Sequence, residues 1–276
     1  MPAPLARRTW MRLAGYAVLL ASLAFTGQAL AKLDPLAVFA RISAQETAAA
    51  GLASLAYALL LGLLAAAWAG CAGGLPLARA LAVYGPGVIA KYVPGTILQY
   101  ASRQVLGAAA GLAHPAMIRA SVIEATAHLL AALCVAAMLL SGALPLIGVV
   151  AVGSVVALAS RSPLLRAAGL QMIFFLSFAG IVAMLASLIG FAHPYVVAGQ
   201  FMLAWLAGFL VPVAPGGIGV REAALLALAG ASGESAQVMM LALLVRLVTT
   251  VGDALFGAAA AYIGRSLSRS NRHASA

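Results

Sequence analysis

Apolar stretches carrying at most a few charged side chains alternate with short polar links along this 276-residue chain. Residues 13–31, 48–69, 121–140, 144–160, 168–191 and 237–263 are each apolar over lengths near the ~20 residues that an α-helix needs to cross a bilayer. Two further apolar stretches are interrupted. Residues 75–92 and 96–110 flank a break at Pro94-Gly95, and residues 195–211 and 218–230 flank a break at Pro215-Gly216-Gly217. Proline removes a backbone donor and clashes with the preceding turn, while glycine frees the backbone. At bilayer depth such a break survives only where protein packs around it or where it lines a wet cavity. The pattern predicts an all-α polytopic membrane helix bundle of about six full spans plus two re-entrant broken-helix hairpins.

The order of these elements carries a second message. Span, span, hairpin and span follow one another twice, and an odd number of crossings separates the two sets. That predicts an inverted-topology repeat within a single transmembrane domain, repeat one over about 12–141 and repeat two over about 144–263, with a basic tail at 265–276. Glu124 stands 30 positions after Pro94 and Arg246 stands 31 after Pro215, each in the span that follows its hairpin. Hairpin arms of 18 residues rise ~27 Å, so full crossings are the alternative. Full crossing of the first hairpin would carry Lys91 and Arg103 to the outer face, against the positive-inside bias. Matching Gly/Pro interruptions in two halves of a membrane protein point to a transporter's binding site.

Composition and charge narrow the class. The chain is 64% hydrophobic and 8% charged, with a mean hydropathy of +1.08. A soluble domain of that composition would expose one large apolar surface. The net charge of +10 is scattered between spans and at the termini, which suits anionic lipid headgroups and not nucleic acid. Arg7, Arg8 and Arg12 at one end and Arg265, Arg269 and Arg272 at the other place both termini in the cytoplasm, in a bacterial inner membrane. A cleaved signal peptide is the alternative for residues 13–31, but another apolar span follows it. Cys71 and Cys134 are isolated packing residues. Neither metal-ligand spacing nor a G-x-x-x-x-G-K-[ST] loop occurs, so the expectation is no metal, no cofactor and no direct drive by ATP. The longest polar stretch is the tail, so a soluble catalytic domain is not expected and the chain reads as a non-enzyme.

Two motifs carry a resemblance. Lys91-Tyr92-Val93-Pro94-Gly95 with Gln99-Tyr100-Ala101-Ser102-Arg103-Gln104, and Pro215-Gly216-Gly217-Ile218-Gly219-Val220-Arg221-Glu222-Ala223-Ala224, resemble the flippase-like transmembrane region of lysylphosphatidylglycerol synthases and their stand-alone relatives, over about residues 10–265. Synthase members of that family carry an additional cytosolic aminoacyl-transfer domain. The resemblance therefore implies the lipid-moving part without the enzyme.

Ionisable groups inside spans are functional candidates, because each costs at least ~2.5 kcal/mol to place there. Lys91 and Arg103 flank the first break. Arg221 follows the second by about one turn, and Gly216 and Gly217 expose backbone amides at the start of the helix that follows. Arg246 lies mid-span. Lys91, Arg103, Gly216, Gly217, Arg221 and Arg246 are thus candidates for binding a lipid phosphate, with Pro94, Gly95, Pro215 and Gly216 as the helix breaks. Glu124, His128, Glu222 and Asp253 are candidate proton-relay or ion-pair partners. Glu124 and His128 share one helix face and can hydrogen-bond, with Glu124 also answering Arg103 or Arg119, and Arg246 can pair with Glu222 or Asp253.

These residues lead to an expected function. The chain is read as an integral membrane lipid transporter that moves an anionic phospholipid or a polyprenyl-phosphate-linked lipid across the inner membrane. The alternatives are a non-transporting accessory subunit of envelope glycan or lipid synthesis, and a membrane-embedded lipid-linked transferase. Its partners are membrane lipids. Oligomeric state, lipid identity and direction of movement stay open at this level.

Overall fold

A computed structural model describes residues 44–92, 97–211, 214–230 and 235–274. The expected first span at 13–31, the basic start of the chain and the break at Pro94-Gly95 lie outside the described residues. Within them the chain is all helical. In chain order the helices are α1 (Ala44–Cys71), α2 (Leu77–Ala90), α3 (Ile97–Ala109), α4 (His114–Leu140), α5 (Leu144–Leu158), α6 (Pro163–Ile189), α7 (Pro194–Leu210), α8 (Val220–Ala229) and α9 (Ser235–Ala274). A three-residue 3-10 turn, Pro215–Gly217, joins α7 to α8.

Local chemistry sets the helix ends. Proline falls in the first turn of α4, α5, α6 and α7, where its missing N–H costs nothing. Ser162 caps α6 by accepting from the Leu165 N–H at 3.4 Å. Gly190 ends α6 in the left-handed region, at φ 93°, where a side chain would be strained.

Four helices are long and apolar enough to cross a membrane, over Thr47–Cys71, His114–Leu140, Pro163–Ile189 and Ser235–Arg269. They correspond to four of the six expected spans. The expected fourth span is shorter than the sequence suggests. α5 has 15 residues and rises ~22 Å, less than the ~30 Å hydrocarbon core. The surface is apolar: Leu52, Leu59, Val149, Val152 and Val156 are all more than half exposed. The interior holds polar groups, with Arg103, Gln171, Glu222 and Asp253 at 5% exposure or less. Leucine outside and charge inside is the arrangement of a polytopic helical membrane bundle.

Helix pairing has a regular pattern. α1 packs on α6. α2 lies against α9, and α7 against α4, so each hairpin's first arm packs on the span that follows the other hairpin. α3 touches α4, and α8 touches α9. α1 touches α9, and α6 touches α4. Exchanging α1, α2, α3 and α4 for α6, α7, α8 and α9 leaves this set of contacts unchanged. Close approach depends on glycine. A Cβ on Gly85 would lie 2.2 Å from the Ala260 Cβ at the α2–α9 contact, and one on Gly252 would lie 2.8 Å from the Ser54 carbonyl oxygen at α9–α1.

Candidate functional site

The broken element of the second half is a helical hairpin. α7 ends at Leu210, the 3-10 turn reverses the chain, and α8 returns along α7. Gly216 at φ 58° and Gly217 at φ 71° make that reversal possible, since both angles are costly for a residue with a Cβ. The two hairpins meet. A Cβ on Gly216 would stand 3.4 Å from the Tyr92 ring, and Arg246 Nη1 donates to the Gly216 carbonyl at 3.0 Å.

Between the hairpins lies a cavity of about 350 Å³. Lys91 and Arg103 reach it from the first hairpin, Gly216, Gly217 and Arg221 from the second, and Glu124 from α4. Five of the six expected phosphate-binding residues therefore share one wall system. Arg246 does not line this cavity.

Three ion pairs neutralise most of the buried charge. Lys91 Nζ lies 2.7 Å from Asp253 Oδ2, whose side chain is fully buried, and the Tyr92 hydroxyl donates to the same oxygen. Arg103 Nη1 lies 2.6 Å from Glu124 Oε2, and the Tyr84 hydroxyl donates to Glu124 Oε1. Arg246 gives two hydrogen bonds to Glu222 Oε1, from Nε at 3.0 Å and Nη2 at 2.7 Å. Glu222 Oε2 accepts the Gly219 N–H at 2.7 Å, so this carboxylate also caps α8. Arg246 is thus held by Glu222 and not by Asp253.

Arg221 is different. No carboxylate lies within ion-pair distance of it among the described residues. Its guanidinium stacks on the Trp205 ring, 3.6 Å from the centroid, and its buried Nε has no hydrogen-bond partner there. The backbone is shaped around this side chain. A Cβ on Gly208 would lie 2.4 Å from Arg221 Cγ, and one on Gly217 would lie 2.7 Å from Nε. The non-exposed charged side chains among the described residues are Lys91, Arg103, Arg221 and Arg246 against Glu124, Glu222 and Asp253. One positive charge is left over, and it faces the cavity.

His128 is no ion-pair partner of Glu124. Its Nδ1 lies 3.1 Å from Gln171 Oε1, and its Nε2 accepts from the Trp205 indole N–H at 3.4 Å. Phe174, Phe175 and Phe209 surround the ring. With Nε2 as acceptor, the neutral imidazole carries its proton on Nδ1 and gives it to Gln171. His128 fixes the indole on which Arg221 lies. Trp205 and Gly208 were legible as an aromatic and a glycine in an apolar arm. Their contact with Arg221 had no sequence signal, because it depends on the pairing of α7 with α8. Among the described residues no group of His, Cys, Asp or Glu is placed to hold a metal ion.

Fold and site together define a polytopic helical membrane protein with a cavity lined by Lys91, Arg103 and Arg221 between the α2–α3 and α7–α8 pairs. The family model of the lysylphosphatidylglycerol synthase transmembrane region matches residues 156–257, and this match supports membership of the chain in that family. The matched segment runs from the end of α5 into α9 and contains the second hairpin. It is narrower than the resemblance read from the motifs, and the first hairpin lies outside it. Neither the comparison with curated proteins nor that with solved structures finds a match. The chain is accordingly a membrane protein related to lipid metabolism.

Proposed function

We propose that this chain is a lipid transporter of the bacterial inner membrane that binds the phosphate of an anionic amphipathic lipid at Arg221. The observation that carries this is the uncompensated guanidinium on the wall of the cavity. A buried charge is retained at a cost of several kcal/mol unless a counter-charge arrives. A guanidinium offers a planar fork that a phosphate oxygen pair fits. Phospholipids and polyprenyl-phosphate lipids both present that group.

The short arms favour re-entrant hairpins, with α8 at 10 residues rising only ~15 Å. The exchange symmetry of the helix contacts supports an inverted repeat, with the cavity at its centre. In this reading the acyl or prenyl tail stays among the lipids while the headgroup crosses the cavity. The matched charge lowers the cost of desolvating the headgroup, which is the barrier to unassisted crossing.

The test is headgroup accessibility in liposomes. Protein reconstituted with a lipid carrying a quenchable fluorophore on its phosphodiester headgroup should make inner-leaflet label accessible to an impermeant quencher. Arg221→Gln should reduce that rate to near the protein-free level. A wild-type rate in the variant removes Arg221 from the path. No movement with wild-type protein, over several anionic lipids, leaves the accessory-subunit function in its place.

A further inference from the structure

The two hairpins carry the same arginine seat, and only one of the two is open. In each, an aromatic residue stands ten positions before the proline of the break, Tyr84 before Pro94 and Trp205 before Pro215. In each, a glycine stands seven positions before that proline, Gly87 and Gly208. In each, an arginine of the second arm lies on that ring and passes over that glycine. The Arg103 Cζ is 3.7 Å from the Tyr84 centroid, and the Arg221 Cζ is 3.6 Å from the Trp205 centroid. A Cβ on Gly87 would lie 3.2 Å from Arg103 Nε, as one on Gly208 would lie 2.8 Å from Arg221 Nε. Both Nε atoms are buried without a partner among the described residues. The arginines stand nine and six positions after their prolines, a shift of about one helical turn along the second arm.

What differs is the counter-charge. The span after the first hairpin presents Glu124 to Arg103. The span after the second presents Arg246, which is engaged by Glu222. The Arg103 seat therefore holds a carboxylate, and the Arg221 seat holds none. Both arginines and Glu124 line the same cavity.

We propose that Arg103 is a second seat for a phosphate group, occupied in this state by the chain's own Glu124. A phosphate bound at Arg221 passes to Arg103 by displacing the Glu124 carboxylate. The displaced Glu124 carboxylate, which lines the same cavity as Arg221, takes up the vacated Arg221, so two charge-assisted contacts exchange for two of the same kind and the exchange is near balance. The cavity then never holds two unmatched cations or two unmatched anions, either of which a low-dielectric site opposes. Tyr84 sets the strength of the lock, because its hydroxyl donates to the Glu124 oxygen that does not touch Arg103.

This rests on the proposed function, and binding stoichiometry separates the two. Purified protein in detergent is titrated with dihexanoyl phosphatidylglycerol and, separately, with inorganic phosphate. Wild type should bind one equivalent, and Arg221→Gln should bind it roughly thirtyfold more weakly. Glu124→Gln should bind two, and Glu124→Gln with Arg221→Gln should bind one. Adding Arg103→Gln to Glu124→Gln should return the count to one. Tyr84→Phe keeps the ring and the fold while removing one bond to Glu124. Added to Arg221→Gln, where Arg103 is the remaining seat, it should strengthen phosphate binding on the order of tenfold.

One equivalent in Glu124→Gln, or none in its double variant with Arg221→Gln, overturns the second seat while leaving Arg221 in place. If Glu124→Gln does not accumulate, an affinity of Arg221→Gln that is unchanged on adding Tyr84→Phe overturns it alone. Wild type without any bound equivalent overturns the proposed function itself. Binding of the lipid but not of inorganic phosphate assigns both seats to a headgroup. Equal binding of the two assigns them to phosphate alone.

Discussion

At the scale of single residues, the balance of buried charge separates the candidate ligand-binding side chain, Arg221, from those paired within the fold. Arg246 and Glu222 are both mostly buried and mutually satisfied. Arg246→Gln strands a buried carboxylate, and the expected cost is about 3 kcal/mol of stability. Thermal unfolding of the purified variant in detergent checks this. Arg246→Met with Glu222→Gln should recover most of the loss, because the glutamine oxygen still accepts from the Gly219 N–H and no charge is left unpaired. Arg221 behaves in the opposite way. Arg221→Gln removes a desolvated and unmatched cation, so stability should hold or rise while phosphate affinity falls roughly thirtyfold, the equivalent of about 2 kcal/mol for a charged hydrogen bond. Arg221→Lys should fall between, since it keeps the charge and loses the fork. Gly208→Ala should act like Arg221→Gln in a binding titration, since its methyl would displace the Arg221 stem. An unchanged affinity would mean that the stem position is immaterial.

At the scale of helices, glycine sets how closely the spans approach the hairpins. Gly85 faces Ala260 across α2 and α9, and Gly252 faces the α1 backbone at Ser54. Gly85→Leu must part α2 from α9 and also disturb Lys91 and Tyr92, whose shared partner Asp253 is on α9. The expected loss is about 2–3 kcal/mol by overpacking, read as a lower unfolding temperature. Gly216→Leu acts elsewhere. Its φ of 58° and the Tyr92 ring beside it put the penalty at the hairpin tip, so transport should fail with membrane insertion intact. Wild-type transport in Gly216→Leu would remove this turn from the mechanism.

At the scale of the whole molecule, the prediction concerns orientation. The arginines of the polar links and the tail call for the α5–α6 link and the end of α9 on the cytoplasmic side, with the α4–α5 and α6–α7 links outside. Single cysteines at positions 142, 161, 193 and 268, in a background lacking Cys71 and Cys134, test it in intact spheroplasts. Impermeant thiol reagents should label 142 and 193 and spare 161 and 268. Labelling of 268 with 142 protected would invert the molecule, and labelling of 161 with 142 would break the odd number of crossings between the two hairpins. Arg265 and Arg269 are exposed on α9, which continues as helix past the apolar segment.

The chain's pattern by itself determined the class of molecule. Apolar length and the scarcity of charge leave a helical membrane bundle as the arrangement that satisfies every backbone group, and Pro215-Gly216-Gly217 marked a reversal because few other residues tolerate its angles. The list of intramembrane charges was equally legible, since each is costly where it stands. Only the tertiary structure decided how they pair. Glu124 answers Arg103 and not His128, Arg246 answers Glu222 and not Asp253, and Asp253 answers Lys91 from the other half of the chain. The physical reason is that a charge in low dielectric takes whichever partner the helix packing brings within about 3 Å, and packing joins residues more than 150 positions apart, as with Tyr92 and Asp253. Arg221 became the candidate ligand site by the same rule: it is the buried cation to which packing delivers an indole face and two glycines, and no carboxylate among the described residues.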